Sequence, residues 1–446
     1  MKFRRRLWKL ALALSVTFAL LPESWATTKF PLSISPSGRY LVDAAGNPFF
    51  IHGDTAWSLM AQLTREDAEL YLRDRRERGF NTILVSLIEH QFADNAPRNA
   101  YGEAPFLSPG DFSRPNEAYF AHADWVLRRA AEEGLLVLLA PAYAGINGGA
   151  EGWYGEMTTA GASALRRYGE FLGLRYREFP NILWVQSGDY NPPDKSLVRG
   201  IAEGILDGNP RALQTAHGAP GTASLDHWEG EDWLRLNAVY TYGPISTELL
   251  RQRARRERLP YFLFESSYEN EHGVTTRRLR EQAYQALCYG AAGHIFGNNP
   301  IWHFDGPGLY DAPGTWVESL DSDGTRSMSH LQSLVAELVW WKMQPDIDGA
   351  LVTEGGWRHQ DPVAAATADD GSFALIYLPS RRELTVNLGL LAGPTVRARW
   401  YDPSRGTFAP AAGSHLLAKG SHRFGKELSL NASGEEDWVL VLQSDQ

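Results

Sequence analysis

The sequence is poor in cysteine, in basic charge and in long apolar runs. Its 446 residues include one cysteine, Cys288, which excludes an internal disulfide and a cysteine-based zinc or iron–sulfur site. Lys and Arg number 43 against 53 Asp and Glu, so no basic excess is available to neutralise phosphates, which argues against a nucleic-acid-binding protein. Beyond the first residues no apolar run is long enough to predict a membrane span.

The first 26 residues have the pattern of a secretory signal peptide. Basic residues near the start precede a short apolar run over 10–21, and Ser24-Trp25-Ala26 then places small residues at the positions of a cleavage site. The alternative is an N-terminal membrane anchor, for which the apolar run is short. We expect cleavage after Ala26 and a soluble, acidic, exported protein, periplasmic or extracellular, without stable membrane insertion.

Residues 27–344 alternate between short apolar runs and amphipathic helical patterns. Several runs are almost continuously apolar, as strands buried on both faces are. Thr64 with Asp67 predicts a helix N-cap, and Gly79 predicts the end of that helix. Further helices are predicted at 116–133, 158–178, 195–207, 246–258, 276–290 and 327–342. The predicted strands are 48–53, 81–87, 135–141, 181–188, 212–217, 237–242, 260–265 and 292–298.

This alternation predicts an α/β chain with a TIM barrel over 27–344. Eight strands alternating with helices over roughly 250 to 300 residues are typical of a closed (β/α)8 barrel. The competing fold is an open doubly wound sheet, but no G-x-G-x-x-G follows the first strand.

Residues 345–446 have a different pattern. Helical periodicity stops, and turns rich in Gly, Pro, Asp and Ser, such as Asp369-Asp370-Gly371, separate short β-rich runs. These features predict a small antiparallel β-sandwich. The runs are 363–368, 372–378, 383–388, 395–401, 426–430 and 437–443.

Two carboxylates close predicted strands that face each other across the barrel mouth. In a TIM barrel the active site lies where the strands end, and Asp189 ends the fourth strand while Glu265 ends the seventh. Such a pair suits glycoside hydrolysis, in which one carboxylate attacks the anomeric carbon or polarises a water and the other protonates the leaving oxygen. The structural alternatives are a rim salt bridge for Glu265 and a helix N-cap for Asp189. Glu89 is the main rival for a catalytic carboxylate.

Other polar and aromatic residues follow the predicted strands and are candidates for sugar binding. Polar side chains at these positions would bind hydroxyls or orient a carboxylate, and aromatic rings would stack on sugar rings, although each of them could instead serve packing. Long loops at 88–115, 142–157 and 299–326 predict walls around a pocket or cleft. The candidate substrate-binding residues are Asp54, Trp57, His90, Tyr143, His217, Tyr240, Tyr242 and Trp302.

A metal-dependent hydrolase is an alternative function. His52 with Asp54, and His227 with Glu229, have the two-residue spacing of metal ligands. Metal-dependent TIM-barrel hydrolases use a His-x-His on the first strand, but here the second position is Asp54 and no further histidine or lysine set completes the cluster. We therefore expect neither a metal nor another cofactor.

Several segments resemble a known family. The barrel part is similar to the apiosidase-like domain of glycoside hydrolase family 140, formerly catalogued as a domain of unknown function, in GRYLVDAAGNPFFIHGDTAWSLMAQLTREDAELYLRDRRERGFNTILVSL, NILWVQSGDYN and YFLFESSYE. The C-terminal part resembles a small β domain with the historical label of a collagen-binding domain, in RARWYDPSRGTF and DWVLVLQ. The resemblance extends from about residue 30 to the end.

This resemblance implies a retaining mechanism with Asp189 as acid/base and Glu265 as nucleophile. It also implies release of the branched pentose apiose from pectin side chains. From the residues alone, retention and inversion both stay open, because an aspartate is shorter than a glutamate. We expect an exported glycoside hydrolase whose partner is an oligo- or polysaccharide of plant or other origin. The alternative is a barrel that binds carbohydrate without cleaving it.

Overall fold

The computed structural model describes residues 28–356 and 361–445. The expected signal peptide, 1–26, lies outside these residues. Among the helices of the described ranges, none has the length and apolar character needed to cross a membrane.

A small antiparallel sheet precedes the barrel. It consists of β1 (Ser33–Ile34), β2 (Leu41–Val42) and β3 (Pro48–Phe49), in that order. The pattern predicted one strand over 48–53, but the chain leaves this sheet after Phe49 and enters the barrel at Ile51. Leu41 and Phe49 pack into the same apolar cluster as the barrel interior, so this sheet covers the barrel where its strands begin.

Eight parallel strands form the predicted TIM barrel. The sheet order β8-β7-β6-β5-β4-β12-β11-β10 runs almost completely around the barrel, and the short β9 (Thr222–Ala223) adds to β10 in antiparallel orientation. Between β8 and β10, Thr215 Oγ1 donates to Leu236 O (2.9 Å) and completes the ring. The barrel strands are β4 (Ile51–Thr55), β5 (Thr82–Ser86), β6 (Leu136–Ala140), β7 (Ile182–Ser187), β8 (Leu213–His217), β10 (Asn237–Tyr240), β11 (Tyr261–Glu265) and β12 (Gly293–Phe296).

Helices surround the barrel, and their ends follow local sequence signals. Thr64 Oγ1 accepts from Asp67 N (3.2 Å) at the start of the first long helix, as predicted. The helix predicted over 158–178 is divided at Gly161, whose φ of 76° is unfavourable for other residues. The described helices are α1 (Leu59–Gln62), α2 (Arg65–Glu77), α3 (Glu117–Glu132), α4 (Tyr154–Ala160), α5 (Ala162–Arg175), α6 (Lys195–Gly208), α7 (Ser224–Trp228), α8 (Ile245–Arg253), α9 (Thr276–Cys288), α10 (Trp316–Ser319) and α11 (Asp323–Ala336). Short 3₁₀ turns lie at Ile146–Gly148, Ile301–His303, Trp340–Lys342 and Leu388–Leu390.

The C-terminal part is the predicted antiparallel β-sandwich. A six-stranded sheet, β13-β15-β16-β21-β18-β19, faces a three-stranded sheet, β14-β17-β20. Side chains such as Ile376 from the large sheet and Val386 from the small one share one buried core. The strands are β13 (Met343–Pro345), β14 (Val352–Glu354), β15 (Ala364–Ala368), β16 (Phe373–Leu378), β17 (Leu384–Asn387), β18 (Thr395–Asp402), β19 (Thr407–Leu417), β20 (Ser421–Phe424) and β21 (Trp438–Asp445). The strand predicted at 426–430 is wrong, because the chain turns there after β20.

The outer face of the six-stranded sheet packs on the barrel. Tyr284 of α9 and Tyr377 of β16 stack with ring centroids 4.9 Å apart and nearly parallel planes. Beside them Arg280 of α9 donates to Asp437, with Nε 2.7 Å from Oδ2. The sandwich therefore packs directly against α9, one of the helices that surround the barrel.

Candidate active site

Asp189, Glu265 and His217 converge at the mouth of the barrel. His217 and Glu265 end β8 and β11, and Asp189 lies two residues after β7. His217 Nε2 is 3.1 Å from Glu265 Oε2 and 3.7 Å from Asp189 Oδ1. One oxygen of each carboxylate and one ring nitrogen of His217 lie within 4.8 Å of one another. The structure thus brings together the two carboxylates that the sequence singled out.

A strained turn and a tyrosine hold Asp189. Ser187 and Asp189 have φ angles of 67° and 46°, so the backbone reverses sharply at the end of β7. A Cβ on Gly188 would lie 2.2 Å from Cδ2 of Tyr143, so the glycine lets that ring lie against the turn. Tyr143 Oη donates to Asp189 Oδ2 at 2.6 Å. Asp189 is not the N-cap of α6, because Asp194 takes that position and accepts from Ser196 N.

Burial and charge shift the titration of the Glu265–His217 pair. Burial raises the pKa of Glu265, the charge of Asp189 raises it further, and His217 opposes both effects. Burial alone would lower the pKa of His217, but the charges of Asp189 and Glu265 outweigh burial and raise it. His217 therefore favours the charged form of Glu265, although their side chains are almost fully buried.

Aromatic side chains contact the Glu265–His217 pair on two sides. Trp57 stacks on His217 with centroids 5.6 Å apart and an angle of 14° between the planes. Trp57 Nε1 also donates to Tyr268 Oη (3.2 Å). On another side Tyr240 Oη donates to Tyr242 Oη (3.1 Å), which donates to Glu265 Oε1 (3.4 Å).

A cavity of about 240 Å³ opens above the carboxylates. It is smaller than the roughly 300–1,000 Å³ pockets that hold drug-sized ligands, so its size suits one or two sugar units. His217 lies beneath this lining and is buried. The predicted residues that line the cavity are Asp189, Glu265, Trp57, Tyr143, Tyr240, Tyr242 and Trp302.

The rival carboxylate Glu89 also lines the cavity, but one of its oxygens anchors a loop. Its Oε1 accepts from the backbone N–H groups of His90, Gln91 and Phe92 at 2.9, 3.1 and 3.0 Å. Burial raises the pKa of Glu89, while these hydrogen bonds oppose that rise. The geometry of Glu89 is thus that of a residue that shapes the loop after β5.

Two predicted sugar contacts lie elsewhere. Asp54 is fully buried under α2, where its Oδ2 accepts from Tyr71 Oη (2.8 Å) and Arg75 Nη1 (3.3 Å). Barrel side chains alternate between the interior and the helix layer, and Asp54 points to the helices, so it does not contact the cavity. His90 lies in a neighbouring depression, with Nε2 3.1 Å from Glu156 Oε1.

The two predicted metal-ligand pairs do not converge either. His52 Nδ1 lies 3.0 Å from His294 Nε2, and the His52 ring stacks on Phe80, whereas Asp54 pairs with Arg75. His227 Nε2 contacts a backbone oxygen, whereas Glu229 pairs with Arg255 at 3.3 Å.

The residues that line the cavity and that sequence reasoning missed include Tyr268 and Glu271. Both lie in the irregular loop after β11, in the segment ESSYENE. A strand-end rule selects Glu265 in this segment but gives no reason to prefer any later residue. The only available signal was their closeness in sequence to Glu265.

Several solved structures that are similar to this chain are described as glycoside hydrolases. One of them, described as a glycoside hydrolase, is 25% identical, with 95% of this chain and 98% of that chain covered and a TM-score of 0.81. A family 5 glycoside hydrolase from Bacteroides vulgatus is 24% identical over 94% of each chain, with a TM-score of 0.80. A family 5 mannosidase from Rhizomucor miehei shares the barrel fold at 15% identity, covering 70% of this chain and 99% of that chain, with a TM-score of 0.50. No curated protein sequence matches the chain.

These relatives, together with a family match over most of the barrel, show that the chain is a glycoside hydrolase. A family model described as "Apiosidase-like, catalytic domain" matches residues 35–342. The chain therefore belongs to the apiosidase-like family, as the resemblance predicted. A second model, described as "Putative collagen-binding domain of a collagenase", matches residues 347–443.

Proposed function

We propose that this glycoside hydrolase retains anomeric configuration, with Glu265 as nucleophile and Asp189 as acid/base. The observation that carries the proposal is their spacing, since one oxygen of each lies within 4.8 Å of the other. Retaining enzymes hold their two carboxyl groups about 5–5.5 Å apart, whereas inverting enzymes separate them by about 6.5–9.5 Å to admit a water. A closest approach of the two carboxylates within 4.8 Å agrees better with the retaining arrangement, which supports direct attack by a carboxylate.

The surroundings of each carboxylate support its role. Glu265 has His217 at 3.1 Å and accepts from Tyr242, and both contacts favour the ionised form that a nucleophile needs. The Asp189 side chain is 15% exposed against 7% for Glu265, so it has better access to a leaving group and to water. The hydrogen bond from Tyr143 fixes its direction.

The reaction then proceeds in two steps. Asp189 gives its proton to the glycosidic oxygen while Glu265 attacks the anomeric carbon, so the bond to the leaving group breaks and a glycosyl ester forms. Asp189, now ionised, takes a proton from a water, whose oxygen attacks the anomeric carbon and releases Glu265. The sugar leaves with its original configuration.

Family membership supports apiose in pectin side chains as the leading substrate. The aromatic lining of the cavity suits the apolar faces of sugar rings. We also propose a barrel domain over 27–344, a β-sandwich over 345–446, and export after cleavage behind Ala26. N-terminal sequencing of the secreted protein tests the cleavage site.

Sugar release from a panel of plant polysaccharides, including apiose-bearing pectin, tests the proposed activity. The wild type is compared with Glu265→Gln and with the surface control Glu229→Gln, whose side chain is 61% exposed. We expect release by the wild type and the control, none by Glu265→Gln, and a first-formed product of retained configuration by NMR. Wild-type rates in Glu265→Gln, or an inverted product, contradict the proposal. Binding without release favours the carbohydrate-binding alternative.

One observation keeps metal-dependent hydrolysis as a second candidate. Asp189, His217 and Glu265 each offer an atom that could ligate a metal ion, and these atoms lie within 4.8 Å of one another. A chelator that abolishes sugar release, with recovery on adding zinc, would favour this candidate. Activity that is unaffected by the chelator favours the two-carboxylate mechanism.

A further inference from the structure

The mechanism above leaves one carboxylate in the cavity wall unused. Glu271 is 7% exposed and lines the cavity six residues after Glu265. Its Oε1 accepts from Trp302 Nε1 at 3.0 Å. Within the described part of the chain, no other side chain donates a hydrogen bond to Glu271, which leaves lone pairs of its carboxylate available to a ligand.

Neighbouring contacts hold Glu271 in place before any ligand binds. Two residues earlier, Glu269 accepts from Gly324 N (2.8 Å) and from Asn298 Nδ2 (2.7 Å), which ties the loop to the start of α11. Trp302, the donor to Glu271, packs edge-on against Phe92 with centroids 5.3 Å apart. A carboxylate held in this way binds a hydroxyl with little loss of conformational entropy.

The charged side chains that line the cavity are all acidic. The lining includes four carboxyl groups, and among the described residues that line the cavity there is no Lys, Arg or His. Sugar hydroxyls can donate hydrogen bonds to carboxylates, but a sugar carboxylate would lose its hydration and find no cation among the lining side chains. The four groups are Glu89, Asp189, Glu265 and Glu271.

We propose that Glu271 determines specificity by holding a hydroxyl of the sugar in the cavity and by excluding sugars that carry a carboxylate. The sugar whose anomeric carbon faces Glu265 is then a neutral sugar, and a uronic acid is rejected from this position. The inference rests on the proposed function in taking the cavity as the sugar site. Glu271 contacts the substrate away from the bond that is cleaved, so it positions the sugar.

A binding measurement tests this without requiring turnover. Trp57 and Trp302 line the cavity, so tryptophan fluorescence, checked by calorimetry, reports ligand binding. The probes are the methyl glycosides of apiose and L-arabinose as neutral sugars and methyl galacturonide as the acidic one. Glu271→Gln keeps the size of the side chain and an acceptor for Trp302, and Glu271→Asp is the second variant if the first does not fold.

The measurement is made at pH 8, above the pKa of about 7 to which burial raises Glu271, so that its carboxyl group is ionised. For the wild type we expect binding of at least one neutral glycoside and roughly tenfold weaker binding of the galacturonide. Glu271→Gln should bind the neutral glycoside roughly 10- to 100-fold more weakly, the usual effect of a hydrogen bond to a charged group. In this variant, the ratio between the affinity for the neutral glycoside and the affinity for the galacturonide should also decrease. Glu156→Gln, which removes a carboxylate outside the cavity lining, should leave both affinities unchanged.

Three results would overturn the inference: equal wild-type affinity for the galacturonide, unchanged affinities in Glu271→Gln, or no binding of either neutral glycoside. Failure of the proposed function gives a different result. In that case neutral sugars bind in a Glu271-dependent way, but no polysaccharide releases sugar.

Discussion

Tyr143, from the loop after β6, sets the direction of Asp189 with a hydrogen bond of 2.6 Å from its hydroxyl to Oδ2. Asp189 itself lies in a turn of left-handed backbone geometry and has no comparable partner on its own strand. The position of the proposed acid/base thus depends on a residue 46 positions earlier in the chain.

Tyr143→Phe should therefore slow substrates that need protonation of the leaving group. The ring still packs on Gly188, but the hydroxyl that orients Asp189 is gone, so we expect kcat/KM to fall by roughly 10-fold or more for natural glycosides. Activated aryl glycosides, whose leaving groups need little protonation, should lose much less. Tyr101→Phe, at a residue that does not line the cavity, is the control, and equal losses on both substrate types would argue against the role.

The activity should fall at acid pH as Glu265 becomes protonated. Because burial and the Asp189 charge raise the pKa of Glu265, the acid limb of the wild-type kcat/KM profile should lie above the ordinary glutamate range of about 4.3. His217 lowers that pKa, so His217→Asn should move the acid limb to higher pH. A pH series of kcat/KM for both proteins measures this shift. An acid limb at the same or at a lower pH in His217→Asn would show that His217 does not lower the pKa of Glu265.

Asp54→Asn should reduce stability without affecting substrate binding. Above the pKa of about 6 that burial gives Asp54, the carboxylate pairs with Arg75, and both side chains are fully buried. Losing one charge of a buried pair costs about 3 kcal/mol, although Arg75 keeps its contact to Asp74. Urea denaturation at pH 8 measures the loss. A raised KM with unchanged stability would instead place Asp54 at the sugar.

Arg280→Met should destabilise the molecule strongly. Asp437 is fully buried, and the substitution removes the cation that pairs with it across the interface between barrel and sandwich. We expect a loss of about 3–5 kcal/mol in the free energy of unfolding. Arg381→Met breaks an exposed pair with Glu436 and should cost less than about 1 kcal/mol. Calorimetry measures the free energy of unfolding of both variants. Similar losses would show that burial does not make the Arg280–Asp437 pair contribute more to stability than the exposed pair.

The sequence predicted the barrel and its two carboxylates because both have local signals. Several barrel strands are short apolar runs, and Asp189 and Glu265 come at or just after the ends of two of them. The position of Asp54 has no such signal, since every residue of β4 is buried and no alternation shows which side chains face inward. Tyr268 and Glu271 lie in a loop whose path depends on contacts with Asn298 and Gly324, which are distant in sequence.

Most of the six-stranded sheet of the C-terminal domain is covered on both faces. α9 and α11 cover one side over β15, β16 and part of β21, and the three-stranded sheet covers the other. A macromolecular ligand of this domain, whether glycan or protein, would therefore have to dock on the outside of the small sheet, on the loops or at the end formed by β18 and the edge strand β19, where Arg397 is 51% and Leu417 65% exposed. The sheet faces that stabilise the domain through burial are therefore not accessible to a ligand.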